Sequence, residues 1–121
     1  MEKILIVDDQ VEIRELIVAT LRDEDYQIIQ AKSGEEAVEI ARLEKPDLII
    51  MDVMMPGSID GMGATRIIKD DPEIKDCRIV LLTGKAQQDD MEEGYRIGAD
   101  DYFLKPFSPI ELIKKVKDML A

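Results

Sequence analysis

An α/β fold, a five-stranded parallel sheet covered by helices on both faces, is predicted by three observations. Five short apolar runs alternate with amphipathic segments along the 121 residues, and each run is followed by a helical pattern. The runs Ile4–Val7, Leu48–Met51 and Ile79–Leu82 are continuously apolar, as strands buried on both faces must be. The remaining two, Gln27–Ile29 and Tyr102–Leu104, are shorter and more mixed, which suits the edges of a sheet. Right-handed crossovers then leave few topologies.

Each helix is justified by its periodicity and its ends. Ile13, Leu16, Ile17, Thr20 and Leu21 make one face of the first at i, i+3, i+4 spacing. Ser33 with Glu36 reads as a capping box opening the second, whose apolar face is Ala37, Val38 and Ala41. A third helix is expected from about Gly63 to about Asp70, ending before Pro72. A fourth spans roughly Gln87 to Ile97, with Met91 and Tyr95 as anchors and Gly98 as its stop. Gly94 lies inside that helix, at a cost near ~1 kcal/mol relative to alanine. The fourth helix therefore reads either as a marginal element held by its neighbours or as one that shifts between two positions. The fifth starts at Ser108, with Pro109 at its first position, Glu111 completing a capping box, and a face of Leu112, Ile113, Val116, Met119 and Leu120. No repeat or linker interrupts the pattern, so one domain is expected over 1–121.

Composition bounds the function. A hydrophobic content of 45% supports a packed core, and no apolar run approaches the ~20 residues of a membrane span. The opening Met1–Val7 breaks too soon into Asp8-Asp9 to be a signal peptide, so a cytoplasmic protein is expected. A net charge of −11 argues against direct contact with nucleic acid or anionic membranes and leaves divalent cations and basic protein surfaces as partners. The single cysteine, Cys77, excludes an internal disulfide and reads as a structural bystander. There is no histidine, which removes the usual general base.

The chemistry gathers at the strand ends, where open parallel sheets bind their ligands. The first strand delivers Asp8 and Asp9, the third Asp52, the fourth Thr83 and Gly84, the fifth Lys105 and Pro106. Carboxylates about 5 Å apart repel by roughly 3 kcal/mol per pair at an effective dielectric near 20. Such a cluster calls for positive charge beyond that of Lys105, and an oxygen-only ligand set suits Mg2+. A carboxylate beside that ion can attack phosphorus and form an acyl phosphate. Asp52 is the expected nucleophile because its strand lies between the acidic pair and the Thr83/Lys105 side.

These residues carry a resemblance that spans the whole chain. Ile4 to Asp9 (ILIVDD), Leu48 to Pro56 (LIIMDVMMP), Ile79 to Gly84 (IVLLTG) and Gly98 to Phe107 (GADDYFLKPF) together resemble the response-regulator receiver domain of two-component signal transduction. The resemblance implies a flavodoxin-like three-layer fold with strand order 2-1-3-4-5. It implies Asp52 as phosphoacceptor and Mg2+, for which Mn2+ can substitute, held by Asp9, Asp8, Asp52 and the backbone carbonyl of Met54. It implies that Thr83 swings toward the phosphoryl group, that Lys105 pairs with it, and that Tyr102 moves inward with Thr83. The Lys105–Pro106 peptide is expected to be cis. A partner histidine kinase or histidine phosphotransfer protein would supply the phosphoryl group. The fourth helix, fifth strand and fifth helix would switch a downstream effector protein or fused effector domain, with activation-dependent homodimerisation an option of the family. No enzyme activity is expected apart from self-phosphorylation and slow autodephosphorylation.

Two departures stand out. Gly57-Ser58-Ile59 makes the turn after Pro56 one residue longer than the family's usual one. Met54 and Lys85 occupy the positions that tune phosphoryl lifetime; an apolar Met54 cannot orient an attacking water, so a long-lived phosphorylated form is expected. The competing functional class is a phosphorylation-independent protein-interaction module on the same fold. A flavodoxin is disfavoured because Asp-Asp-Gln stands where a glycine-rich phosphate loop would be.

Overall fold

The computed structural model describes residues 1–84 and 92–121 in full and the backbone alone of 88–91. Its elements alternate strictly: β1 Glu2–Val7, α1 Val11–Leu21, β2 Tyr26–Ala31, α2 Gly34–Glu44, β3 Leu48–Asp52, α3 Gly61–Asp70, β4 Arg78–Gly84, α4 Gln88–Arg96, β5 Asp101–Lys105 and α5 Pro109–Leu120. All pairings are parallel, and the sheet order is β2-β1-β3-β4-β5, as expected of a flavodoxin-like fold. Among the described residues no helix is long and apolar enough to cross a membrane.

Strand alternation sorts the core into two layers. Leu5, Val7, Ile49, Met51, Ile79 and Leu81 point to one face and meet Ala37, Val38 and Ala41 of α2 and Ala64 and Ile68 of α3. Ile4, Ile6, Leu48, Ile50, Val80 and Leu82 point to the other and meet Ile17 and Leu21 of α1 and Leu112 and Val116 of α5. Every residue of β3 is buried, whereas β2 is mixed, as its edge position dictates.

The strands outrun their apolar cores by one or two residues, because main-chain pairing continues into the polar ends. Thus Thr83 pairs with Leu104 and Gly84 with Lys105. The face of α1 is rotated from expectation: Leu16 is 45% exposed, and Val18 packs inward with Ile13 instead. The capping box of α2 is half realised. Ser33 Oγ accepts from Glu36 N–H at 3.1 Å, but Glu36 reaches back to the N–H of Lys32 at 3.2 Å.

Helix α4 corrects one expectation and explains another. Tyr95 is no buried anchor, being 47% exposed; its ring meets that of Tyr102 edge-on with centroids 5.8 Å apart. Gly94 is required by packing, since a Cβ there would lie 2.4 Å from Leu81 Cδ1. Gly98 ends the helix at φ +113°. Cys77 is free and buried, and burial pushes its thiol up to about 11, in keeping with an inert structural role.

Candidate functional site

The carboxyl edge of the sheet assembles the acidic cluster. Asp8 follows β1 and is fully buried, its N–H donating to Ala31 O at 3.2 Å. Its Oδ1 accepts from the N–H of Gln10 at 2.9 Å. The first helix starts from Gln10 with no side-chain cap, so the acidic pair is not spent on capping it. Asp9 is exposed beside it, and Asp52 ends β3 at 4% exposure. One oxygen from each of Asp8, Asp9 and Asp52 lies within 4.8 Å of the others.

Lys105 enters from the end of β5. Its Nζ donates to Asp52 Oδ1 at 3.0 Å and to Asp8 Oδ2 at 3.3 Å. Burial raises the Asp52 pKa, and the Asp8 charge adds to that; the Lys105 hydrogen bond and the nearby Met54 N–H pull the other way without reversing it. Burial works to lower the Lys105 pKa, but the bond to Asp52 and the charges of Asp52 and Asp8 leave it raised. Among the described residues Lys105 is the ammonium bonded to this cluster, and it reaches two of the three carboxylates. That excess of negative charge, with oxygen-only donors, fits a small hard dication such as Mg2+.

Thr83 stands beside the cluster at the end of β4, 1% exposed, its Oγ1 donating to Gly84 O at 3.2 Å. The Lys105–Pro106 bond is cis. Met54, in the β3–α3 loop, is 64% exposed. Tyr102 is half-buried against the α2–α3 layer. Lys85 lies outside the described residues.

With this geometry, comparison with known proteins is decisive. The family model described as "response regulator receiver domain" matches residues 4–117. The chain belongs to that family. It is 41% identical over 117 residues to the phosphate regulon transcriptional regulatory protein PhoB of Pseudomonas aeruginosa, covering 97% of this chain and 51% of PhoB. It is 42% identical to the transcriptional regulatory protein ResD of Bacillus subtilis, covering 98% of this chain and 48% of ResD. The chain thus spans about half the length of these relatives. Among solved structures, the chemotaxis protein CheY4 of Vibrio cholerae superposes with a TM-score of 0.91 at 33% identity, covering 99% of both chains. Receiver domains of response regulators are signalling modules of two-component systems rather than enzymes in the ordinary sense.

Around the receiver's acidic cluster lie three supports that sequence reasoning missed. Arg14 Nη1 donates to the backbone carbonyl of Asp8 at 2.7 Å while its Nε donates to Gln30 Oε1 at 3.1 Å, tying the β1–α1 loop to β2. Gly61 is forced by contact: a Cβ there would sit 1.9 Å from the backbone oxygen of Asp52. Glu35 of α2 accepts from the N–H of Ile59 at 2.7 Å and from Ser58 Oγ at 3.2 Å, which ties down the Gly57-Ser58-Ile59 turn. The Asp60-Gly61 pair is a turn and N-cap signal that could have drawn attention to Gly61. Nothing local in sequence marks Arg14 or Glu35, whose partners are distant or on another element.

Proposed function

We propose that this receiver takes a phosphoryl group from a phosphohistidine of a histidine kinase or histidine phosphotransfer protein onto Asp52, and so controls a downstream protein or fused effector domain. A carboxylate oxygen of Asp52 attacks phosphorus, an O–P bond forms, the N–P bond of the donor breaks, and its imidazole leaves with a proton from solvent. The donor histidine lies outside these 121 residues, which contain none. The observation that carries the proposal is the ammonium of Lys105 held at 3.0 Å from Asp52 and 3.3 Å from Asp8, the two buried members of the acidic cluster.

Asp9, Asp8, Asp52 and the carbonyl of Met54 are the groups that would hold Mg2+, and Mn2+ would serve in its place. The ion, when bound, neutralises phosphoryl oxygens as they approach the carboxylates. Lys105 pairs with one phosphoryl oxygen, and the Thr83 hydroxyl and nearby backbone N–H groups take another. The inward shift of Thr83, followed by Tyr102, re-weights two conformations of the α4–β5–α5 face, the surface we assign to the output partner or to a second copy of the chain. A side chain at Met54 that is apolar and exposed cannot orient a water for hydrolysis, which supports a long-lived aspartyl phosphate. This chemistry belongs in the cytoplasm, where histidine kinases present their phosphohistidines.

Incubation with acetyl phosphate and MgCl2, followed by intact mass, tests the proposal. Wild type should gain one phosphoryl group; Asp52→Ala and EDTA-treated protein should gain none. Absence of labelling in wild type, with no binding of beryllofluoride, would instead establish an interaction module that works without phosphorylation.

A further inference from the structure

The β3–α3 loop, residues 53–60, is held by contacts of two different kinds at its base and on its far side. At its base it is sewn to the sheet: Val53 N–H donates to Leu82 O at 3.0 Å, and Gly61 N–H donates to Val53 O at 3.1 Å. Met55 is sunk into the core at 7% exposure, while the N–H of Met54 is near enough to the Asp52 carboxylate to favour its charged form. The far side, Gly57-Ser58-Ile59, has no strand to pair with. Each residue of this unpaired stretch has two soft dihedrals whose freedom must be removed if the loop is to hold one shape, at roughly 1–2 kcal/mol of backbone entropy per residue.

The contacts that remove this freedom come from α2. Both Ile59 N–H, at 2.7 Å, and Ser58 Oγ, at 3.2 Å, donate to Glu35 Oε1. Gly57 adopts φ +116°, and even a Cβ at that position would come within 3.3 Å of Glu35 Oε2. Gly34 brings the start of α2 so close that a Cβ there would lie 2.3 Å from Ile59 O. Ile59 itself packs against the core layer shared by α2 and α3. A carboxylate suits this place because one charged oxygen can accept both bonds and its charge is favoured on the first turn of a helix.

We propose that Glu35 is a positioning residue for the phosphoacceptor site, fixing the β3–α3 loop so that Met54 keeps its main-chain groups close to Asp52. The part of the proposal that concerns Mg2+ rests on the function proposed above; the part that concerns loop shape does not. Glu35 touches neither phosphoryl group nor metal, so its effect must pass through the Met54–Gly61 backbone.

The test uses the full chain as wild type, Glu35→Ala, Glu35→Gln and Glu36→Ala. Glu36 is the matched control, because its loss removes the same charge from the same helical turn, and among the described residues its carboxylate accepts from the N–H of Lys32 and not from the loop. Two quantities are read: Mg2+ affinity by calorimetry, and the Met54 and Gly61 amide shifts by NMR in EDTA. Glu35→Ala should weaken Mg2+ binding about five-fold or more, as loss of a charge-assisted hydrogen bond implies, and should move both amides. Glu35→Gln, which keeps an acceptor oxygen for Ile59, should stay within about two-fold of wild type. Glu36→Ala should lower thermal stability but leave both readouts unchanged. Glu35→Ala that matches Glu36→Ala in affinity and in amide shifts would overturn the proposal and reduce Glu35 to a helix-stabilising charge. Should wild type bind no Mg2+, the function proposed above fails, and the amide shifts alone decide the role of Glu35.

Discussion

Asp52 is buried as a member of an acidic trio, and that has a consequence for stability as well as for chemistry. Burial leads the upward shift of its pKa, so the folded state holds its proton more tightly than the unfolded chain does. With the folded value raised, the stability is fully present below the ordinary aspartate range and is lost as pH rises through the folded value. At neutral pH the wild-type protein therefore bears the cost of a charged Asp52. Removing that charge leaves Lys105 still paired with Asp8 at 3.3 Å. Asp52→Asn should raise stability at pH 7 without Mg2+ by roughly 1 kcal/mol, or about 4 °C in Tm. The gap should close as pH is lowered toward 4 and narrow when MgCl2 is added. Urea denaturation of both proteins at several pH values checks this, and a wild type more stable than Asp52→Asn at pH 7 would contradict it. At this scale the sequence was most legible where residue type and strand end coincide: Asp8, Asp9, Asp52, Thr83 and Lys105 all arrive at one edge. It was silent on Arg14, whose guanidinium serves a backbone carbonyl, because such a bond depends on position and leaves no trace in residue pairing.

Elements were legible in kind and order, and less so in orientation. The period of α1 admitted two neighbouring stripes, and burial of Val18 with exposure of Leu16 is settled only by what the sheet and α5 present to it. Glycines show the limit best. Sequence assigns Gly94 a propensity cost, yet the helix needs it, because α4 lies directly on Leu81 of β4. Gly61 is the more demanding case. A methyl group there would meet a backbone oxygen of β3, at 1.9 Å, with no side chain to swing away. Gly61→Ala improves helix propensity by about 1 kcal/mol, but it must push the start of α3 off the strand that carries Asp52. We expect a net loss of about 3 kcal/mol or more, at the upper end of overpacking costs, together with loss of acetyl phosphate labelling in whatever fraction folds. Circular dichroism melts and intact mass on the same samples measure both. A variant as stable and as readily phosphorylated as wild type would mean that α3 has freedom to move away from β3.

For the whole molecule, the net charge of −11 and the local charge of the acidic cluster act on stability through different physics. Self-repulsion over the surface is long-ranged and is screened by any salt, with a Debye length of about 10 Å at 0.1 M. Repulsion among Asp8, Asp9 and Asp52 acts at 4.8 Å or less, well inside that length, and monovalent salt relieves little of it. A dication bound to the cluster stabilises by mass action, by about 1.4 kcal/mol at ten times its dissociation constant. For a domain of this size that corresponds to a rise of about 5 °C in Tm. MgCl2 should therefore raise Tm beyond what NaCl achieves at equal ionic strength. Asp9→Asn should remove most of that increment while keeping the response to NaCl, because Asp9 is exposed and contributes little to packing. Thermal melts of the two proteins in matched salts separate the two effects. If Asp9→Asn kept the full Mg2+ increment, the stabilising ion would be acting on the acidic surface at large, and the strand-end cluster would not be its site.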